Sequence, residues 1–463
     1  MGNTSKKLAA KCTLLTKDEQ KYVAATFRAA SKNSERIREE DLIVSGKVDA
    51  ALLEKFWGPQ IDPRLAQYLS NYLFGSAQQK SSTCDFNRFA ELYVYNVRGT
   101  MDERLAVTYN CLGKDFNEDI ELPYQLLKEF CESIASTYIK IVKSSTSKKA
   151  RIWMEKGFRA NASYVQALGE ALAATVGGDL DSPHHHCNAQ QLSKWLQTNV
   201  LLKQLSELVF VNLYGINKRS GDESPTSPLP APPTMLPAPD GLDAMPDYPA
   251  FIDLSHIVWI NNHLPQKYQH KWRFLFSSHI HGESFSTMAG RIQEQGPSVL
   301  IIEDNSGYIF GGFATASWAW GPNWTGTDEA FLFTCAPKMR VYPATNYNDH
   351  YQYMNHQTKT LPNGLLMGGQ LEFGGIWLPA EPFGEGSSAE SCSTFRGYKR
   401  LSKEPHFRLR SIEVWGVGDK PSLEMDENER DLSVLDTNPE AKAILEMAGR
   451  TRHSEGLREE PPL

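Results

Sequence analysis

The chain is 463 residues long, 22% charged and 41% hydrophobic, with a net charge of −7. That length exceeds what one ordinary hydrophobic core organises, so two folded units and a linker are expected. Its apolar stretches fall short of the ~20 residues that span a bilayer. Residues 419–463 hold twelve acidic against six basic side chains and so carry −6 of the charge, which leaves the rest without the basic face a nucleic-acid partner requires.

Residues 1–15 form a basic N-terminus with a candidate lipid anchor. Met1-Gly2-Asn3-Thr4-Ser5-Lys6-Lys7 lacks the apolar run of a secretory signal, which points to the cytoplasm or a cytoplasmic membrane face. Removal of Met1 would expose Gly2 as N-myristoylation requires, although Lys6 stands where Ser or Thr is usual. One myristoyl chain binds a bilayer marginally. Lys6, Lys7 and Lys11 supply a second signal through anionic lipids at roughly 1 kcal/mol each, and Cys12 is a candidate for palmitoylation. The seven cysteines, Cys12, Cys84, Cys111, Cys131, Cys187, Cys335 and Cys392, are scattered and contain no CxxC pair, so neither a disulfide framework nor a zinc knuckle is expected.

Over residues 16–216 apolar positions recur at helical spacing, as in Leu65, Tyr68, Leu69, Tyr72 and Leu73, or Leu126, Leu127, Phe130, Ile134 and Tyr138. Between two such stretches, Asp115, Asn117 and Asp119 take positions 1, 3 and 5 of an EF-hand loop. Position 6 is Ile120 where a glycine is needed, and position 12 is Leu126 where a bidentate Glu is needed. An all-α, EF-hand-like scaffold without its ion is therefore expected, a calcium-sensing adaptor being the alternative. Asp85 to Leu92 reads as the exit of a second, degraded hand. The basic run from Lys140 to Arg159 reads as a solvated loop. Asp179, Asp181, His184, His185, His186 and Cys187 read as a polar loop, because three consecutive histidines do not readily meet one zinc ion.

Residues 217–249 contain nine prolines, which remove backbone donors and fix φ, so an extended, semi-rigid spacer is expected. Ser224-Pro225 and Ser227-Pro228 are candidate sites for proline-directed phosphorylation.

After the spacer the pattern changes. A helix over about Leu254 to His263 and a second placing Phe285, Met288, Ala289 and Ile292 on one face precede short strands. Ser298 to Glu303 and Tyr308 to Phe313 flank Asp304-Asn305-Ser306-Gly307, a hairpin signature. Further strands are expected at Phe331–Cys335, Gln370–Phe373 and Arg410–Trp415. A β-sandwich flanked by helices follows, making the whole chain α+β. Beyond it, the acidic tail 419–463 holds a helix signal at Thr437-Asn438-Pro439-Glu440, followed by an apolar stripe of Ala441, Ile444, Leu445 and Met447, a candidate partner-binding surface.

Ordered blocks over about residues 250–418 resemble the TLDc domain. They are Trp272 to Ser278 with His281-Gly282-Glu283-Ser284-Phe285; Gly307 to Phe313; Gly326-Thr327-Asp328-Glu329-Ala330-Phe331-Leu332-Phe333; Ser391-Cys392-Ser393-Thr394-Phe395; and Ile412-Glu413-Val414-Trp415-Gly416. The Met-Gly start, the EF-hand-like half and the acidic tail narrow the resemblance to the lysosomal, mTOR-associated branch of that family. That resemblance implies binding to the vacuolar-type proton-pumping ATPase, participation in mTOR signalling at the cytosolic face of the lysosomal membrane, and no established catalysis.

The alternative is a hydrolytic or antioxidant enzyme using His281 and Ser286, within a cluster that also holds His279, Glu283 and Ser284. No GxSxG elbow frames these residues, so no catalytic residue is assigned. There is no P-loop, no Rossmann glycine pattern after a strand and no HExxH, so no cofactor or metal site is expected.

Overall fold

The computed structural model describes residues 14–31, 47–75, 81–145, 147–177, 185–216, 235–242, 251–371 and 373–421. Gly2, Lys6, Lys7, Lys11, Cys12, Asp179, Asp181, His184, Ser224, Ser227 and the stripe Ala441, Ile444, Leu445 and Met447 lie outside the described residues.

The first half is helical: α1 (Lys17–Ala30), α2 (Ala50–Trp57), α3 (Pro63–Phe74), α4 (Phe86–Arg98), α5 (Met101–Cys111), β1 (Leu122–Pro123), α6 (Tyr124–Ser144), α7 (Lys148–Glu155), α8 (Ala162–Ala174), β2 (His186–Cys187), α9 (Ala189–Thr198) and α10 (Val200–Leu213). Side-chain caps set most of the starts, since an Asp, Thr or Asn oxygen satisfies an amide that the first turn leaves unpaired. Thr16 and Glu19 form a reciprocal capping box on α1, Thr100 and Glu103 one on α5, and Asn188 and Gln191 one on α9. Between α6 and α8 the backbones approach so closely that a Cβ on Gly169 would collide with the Glu132 backbone. Tyr214, just past α10, closes the first four helices. Its ring lies 4.6 Å from Phe89 and 5.6 Å from Trp57, and its hydroxyl donates to the Phe89 carbonyl at 2.7 Å.

The second half comprises β3 (Ala238–Asp240), α11 (Leu254–His263), β4 (Lys271–Ser277), α12 (Ser278–His281), α13 (Phe285–Ile292), β5 (Ser298–Asp304), β6 (Ile309–Ala314), β7 (Phe331–Ala336), β8 (Arg340–Pro343), β9 (Tyr353–Asn355), β10 (Gly364–Gln370), β11 (Phe373–Pro379), β12 (Glu385–Ser387) and β13 (His406–Val417). The long strand β13 belongs to two sheets. Along its second part it pairs antiparallel with β5 and β4, and along its first part with β12. One sheet therefore runs β8-β7-β6-β5-β13-β4 with β3 on its edge, and the other β13-β12-β11-β10-β9.

Strand β5 explains the architecture. Leu300 and Ile302 face the second sheet, in one core with Leu365, Met367, Ile376 and Leu378. Val299 and Ile301 belong instead to the core that contains the helices. A strand buried on both faces must read as a continuous apolar run, as Ser298-Val299-Leu300-Ile301-Ile302 does. Its neighbour β6 is equally confined: a Cβ on Gly311 would collide with the Leu300 carbonyl. The described residues thus form three layers, helices on one sheet and that sheet on another.

Tryptophans make the contact between helices and sheet. Trp153 of α7 is fully buried, 5.4 Å from Trp415 of β13 and 6.3 Å from Trp272 of β4, with Phe158 at 4.7 Å. Its indole N–H donates to the Pro237 carbonyl at 2.9 Å. Nearby, the Asn161 amide donates to the Asp253 carboxylate at 2.6 Å, and the Tyr164 ring lies tilted against His256 at 4.3 Å.

Three expectations change. Lys140 to Arg159 is not a loop: it covers the end of α6 and all of α7, because Ala150 and Trp153 give a basic stretch one buried face. Gln370 to Phe373 is not one strand: Gln370 ends β10 and pairs with Phe373, the first residue of β11, where Gly368 and Gly369 bend the strand end through positive φ. The spacer is not free throughout, since Met235 and Leu236 are buried in the shared core and Ala238–Asp240 pair in parallel with β4. The two expected helices and the Asp304–Gly307 hairpin lie where the sequence places them.

Replacing Trp153 by Ala removes the centre of this contact and is expected to cost about 3–5 kcal/mol. Urea unfolding followed by circular dichroism and tryptophan fluorescence should show coincident transitions in the wild type and separated ones in the variant. A second prediction concerns pH. Burial lowers the pKa of His256 from 6.5 to about 3, so below pH 6.5 the unfolded chain binds a proton that the folded chain refuses. Its contribution is complete above pH 6.5 and declines as pH falls, by ~2 kcal/mol at pH 5. Asp253, raised from 3.8 by burial against opposing amide hydrogen bonds from Asn161 and Ser255, acts in the opposite sense nearer its ordinary value. Unfolding free energies at pH 7 and pH 5 should differ less in His256→Gln than in the wild type.

Candidate functional site

The helix–loop–helix geometry is more extensive than the sequence suggests. Leu122 of β1 pairs antiparallel with Cys187 of β2, which joins the α5–α6 loop to the α8–α9 loop. Val48 and Cys84 form the same bridge between the α1–α2 and α3–α4 segments. Two pairs of EF-hand-like units result. In the third unit Leu122 stands eighth from Asp115, so the residues equivalent to position 12 lie four beyond each bridging residue: Leu52, Arg88, Leu126 and Gln191. None is the carboxylate that calcium requires there.

Two of these positions show what replaces the ion. The Arg88 guanidinium donates to the Tyr72 carbonyl through Nε at 3.2 Å and Nη2 at 2.8 Å, and lies 4.3 Å over the Tyr72 ring. It thereby satisfies an unpaired carbonyl in the last turn of α3. The Gln191 side chain caps the Asn188 amide at 3.0 Å. In the third loop Asn117 accepts from the Asp119 amide at 3.1 Å, and Tyr109 donates its hydroxyl to the Ile120 carbonyl at 2.7 Å. The loop is closed by its own hydrogen bonds. Among the described residues, no group of three His, Cys, Asp or Glu side chains is placed to hold a metal ion.

The His281 cluster is dispersed by its local structure. His281 Nδ1 accepts the Ser277 amide at 3.1 Å, while its ring stacks between Phe274 at 5.7 Å and Phe276 at 5.5 Å. Burial, reinforced by Arg291, pushes its pKa below 6.5. Ser284 is the N-cap of α13 and accepts the Thr287 amide at 3.3 Å. Ser286 lies exposed on that helix, and among the described residues no hydrogen bond joins it to His281. A hydroxyl nucleophile needs its base within about 2.6–3.2 Å. The described thiols are equally unsuited to attack. Burial pushes Cys84 and Cys111 up to about 12 and Cys187 up to about 11, and raises Cys131, Cys335 and Cys392 as well, so each stays protonated near neutrality.

Of the histidine-rich loop, His185 donates from Nε2 to the Gly177 carbonyl at 3.1 Å, and Cys187 is buried at the β1–β2 bridge. These residues serve the pairing of two loops. Sequence reasoning missed Arg88. The signal available was its place three residues after the cap Asp85, where a calcium-binding exit helix would carry Glu.

The TLDc-domain profile matches residues 245–418. The MTOR-associated protein MEAK7 of Xenopus laevis is 36% identical over 80% of this chain and 80% of its own length. The chain belongs to the MEAK7 family of TLDc proteins. Its Gallus gallus relative is 48% identical over 45% of this chain and 44% of its own, and its Homo sapiens relative 43% identical over 46% of each. The names of these relatives describe an association, not a reaction. Among the described residues no helix is long and apolar enough to cross a membrane.

With the position-12 carboxylate absent from all four units, titration of the purified chain with calcium should give no saturable heat up to millimolar concentration. Arg88→Ala should lower thermal stability by about 1–3 kcal/mol through the orphaned carbonyl, as read by calorimetric unfolding.

Proposed function

We propose that this chain is a non-enzymatic, lipid-tethered adaptor on the cytosolic face of the lysosomal membrane. In this reading it associates with mTOR signalling components and binds the vacuolar-type proton-pumping ATPase. The observation that carries the reading is the 36% identity over four-fifths of the chain to a protein named for its association with mTOR. The non-enzymatic part is supported by the employment of His281 and Ser284 in local structure and by the raised thiols. Lipid tethering through Gly2, aided by Lys6, Lys7 and Lys11, is supported by the sequence alone, as is partner capture by Ala441, Ile444, Leu445 and Met447.

A lipid address at Gly2, the folded face of the described residues and the apolar stripe would together give an adaptor its membrane contact and its partner contact. In cells, Gly2→Ala should shift the protein from the lysosomal to the soluble fraction. Deletion of residues 437–463 should leave membrane attachment intact and reduce co-purification of the proton pump by about tenfold. A Gly2→Ala protein that stays fully with lysosomes rules out the tether.

A further inference from the structure

Where the helical half meets the edge of the first sheet, a cleft of about 700 Å³ opens, within the range of small-molecule sites. Its walls are the start of α6, the exposed side of α8, the end of α11, the turn from β7 to β8, and the segment at Arg396. Four cations, Lys128, Lys338, Arg340 and Arg396, line it against one acid, Glu170, which pairs with Lys128 at 3.0 Å. Among the described residues, no carboxylate lies within ion-pairing distance of Arg340 or Arg396. In a chain of net charge −7, this is a local excess of positive charge at the mouth of a concavity.

Two further features have the same polarity. The start of α6 lines the cleft, and this 21-residue helix follows Pro123 with no side-chain cap and no acidic residue in its first turn. The Tyr124 amide is met by the His185 carbonyl at 2.9 Å, so what this end adds to the cleft is the positive pole of the helix dipole without a side-chain cap. On the opposite wall stands Trp259, 5% exposed, whose indole Nε1 is buried without a hydrogen-bond partner. An indole N–H can only donate, and a buried donor left unpaired costs about 1–3 kcal/mol. Guanidinium groups, an uncapped helix start and an orphaned donor all call for a multiply charged acceptor.

We propose that this cleft binds a polyphosphorylated polyol, either as a free small molecule or as the headgroup of a membrane lipid. Arg340 and Arg396 present guanidinium forks suited to phosphate oxygens. The start of α6 adds the positive pole of its dipole, and Trp259 Nε1 donates to an oxygen held at depth. The site is distinct from the Gly2 tether and from the tail stripe, and does not depend on either.

The test is calorimetric titration of the full chain with inositol hexakisphosphate, comparing the wild type with Arg340→Ala/Arg396→Ala and with Trp259→Phe, each checked for unchanged thermal unfolding. The wild type should bind saturably at one site. The double arginine variant should bind at least tenfold more weakly, and Trp259→Phe several-fold more weakly. Co-sedimentation with vesicles of phosphatidylcholine containing a phosphatidylinositol bisphosphate, against vesicles of equal charge containing phosphatidylserine, identifies the source. Selective capture that the arginine variant loses assigns the lipid headgroup, whereas capture equal on both vesicles beside tight soluble binding assigns the free molecule. No saturable binding of either probe, or binding unchanged in the arginine variant, would overturn the proposal.

Discussion

Burial of the outer face of the first sheet by the helical half is the contact on which the rest depends. A sandwich alone would leave Val299, Ile301, Phe331 and Phe333 in water; here the same residues share a core with Leu168, Leu172 and Trp153. At the centre, Trp153, Trp272 and Trp415 each bury a large aromatic surface, and Trp153 finds its hydrogen-bond acceptor in Pro237. Aromatic groups in mutual edge contact add directional preference to area burial. The helices are thereby fixed in orientation on the sheet, not merely tethered to it.

This constraint gives the adaptor reading its physical content. An adaptor transmits position, so its faces must keep a constant relation to one another. The EF-hand-like units serve that purpose by exchanging the ion for internal contacts: Arg88 on the α3 carbonyl, Gln191 on its own cap, and two short bridges in place of coordinated loops. A scaffold that opened on calcium binding would be hinged at those loops. The cationic cleft lies along the same seam, so its four cations converge only while the two halves stay docked.

Much of this was legible in the sequence. The helix at Leu254–His263, the apolar face of Phe285, Met288, Ala289 and Ile292, and the Asp304–Gly307 hairpin each follow from local chemistry and are found in place. The missing calcium carboxylate followed from counting ligands. What stayed hidden needed tertiary knowledge. Trp153 sits in a run dominated by lysine and arginine, where the charge pattern outweighs one buried aromatic. The continuous apolar run of β5 was visible, but a run of that kind does not say what covers the second face. Met235 and Leu236 lie within a proline-dense stretch whose composition argues for an extended spacer. The cleft draws Lys128, Trp259, Arg340 and Arg396 from four distant segments, so no window of sequence contains it.

The described helices and the sandwich form one cooperative body. Native-state hydrogen exchange at increasing denaturant tests it most directly, because it reads the opening free energy of each element separately. Amides of α6, α8, β5 and β13 should converge on a single opening energy equal to that of global unfolding. Exchange of α6 and α8 through a distinctly cheaper opening, with β5 and β13 still protected, would contradict it.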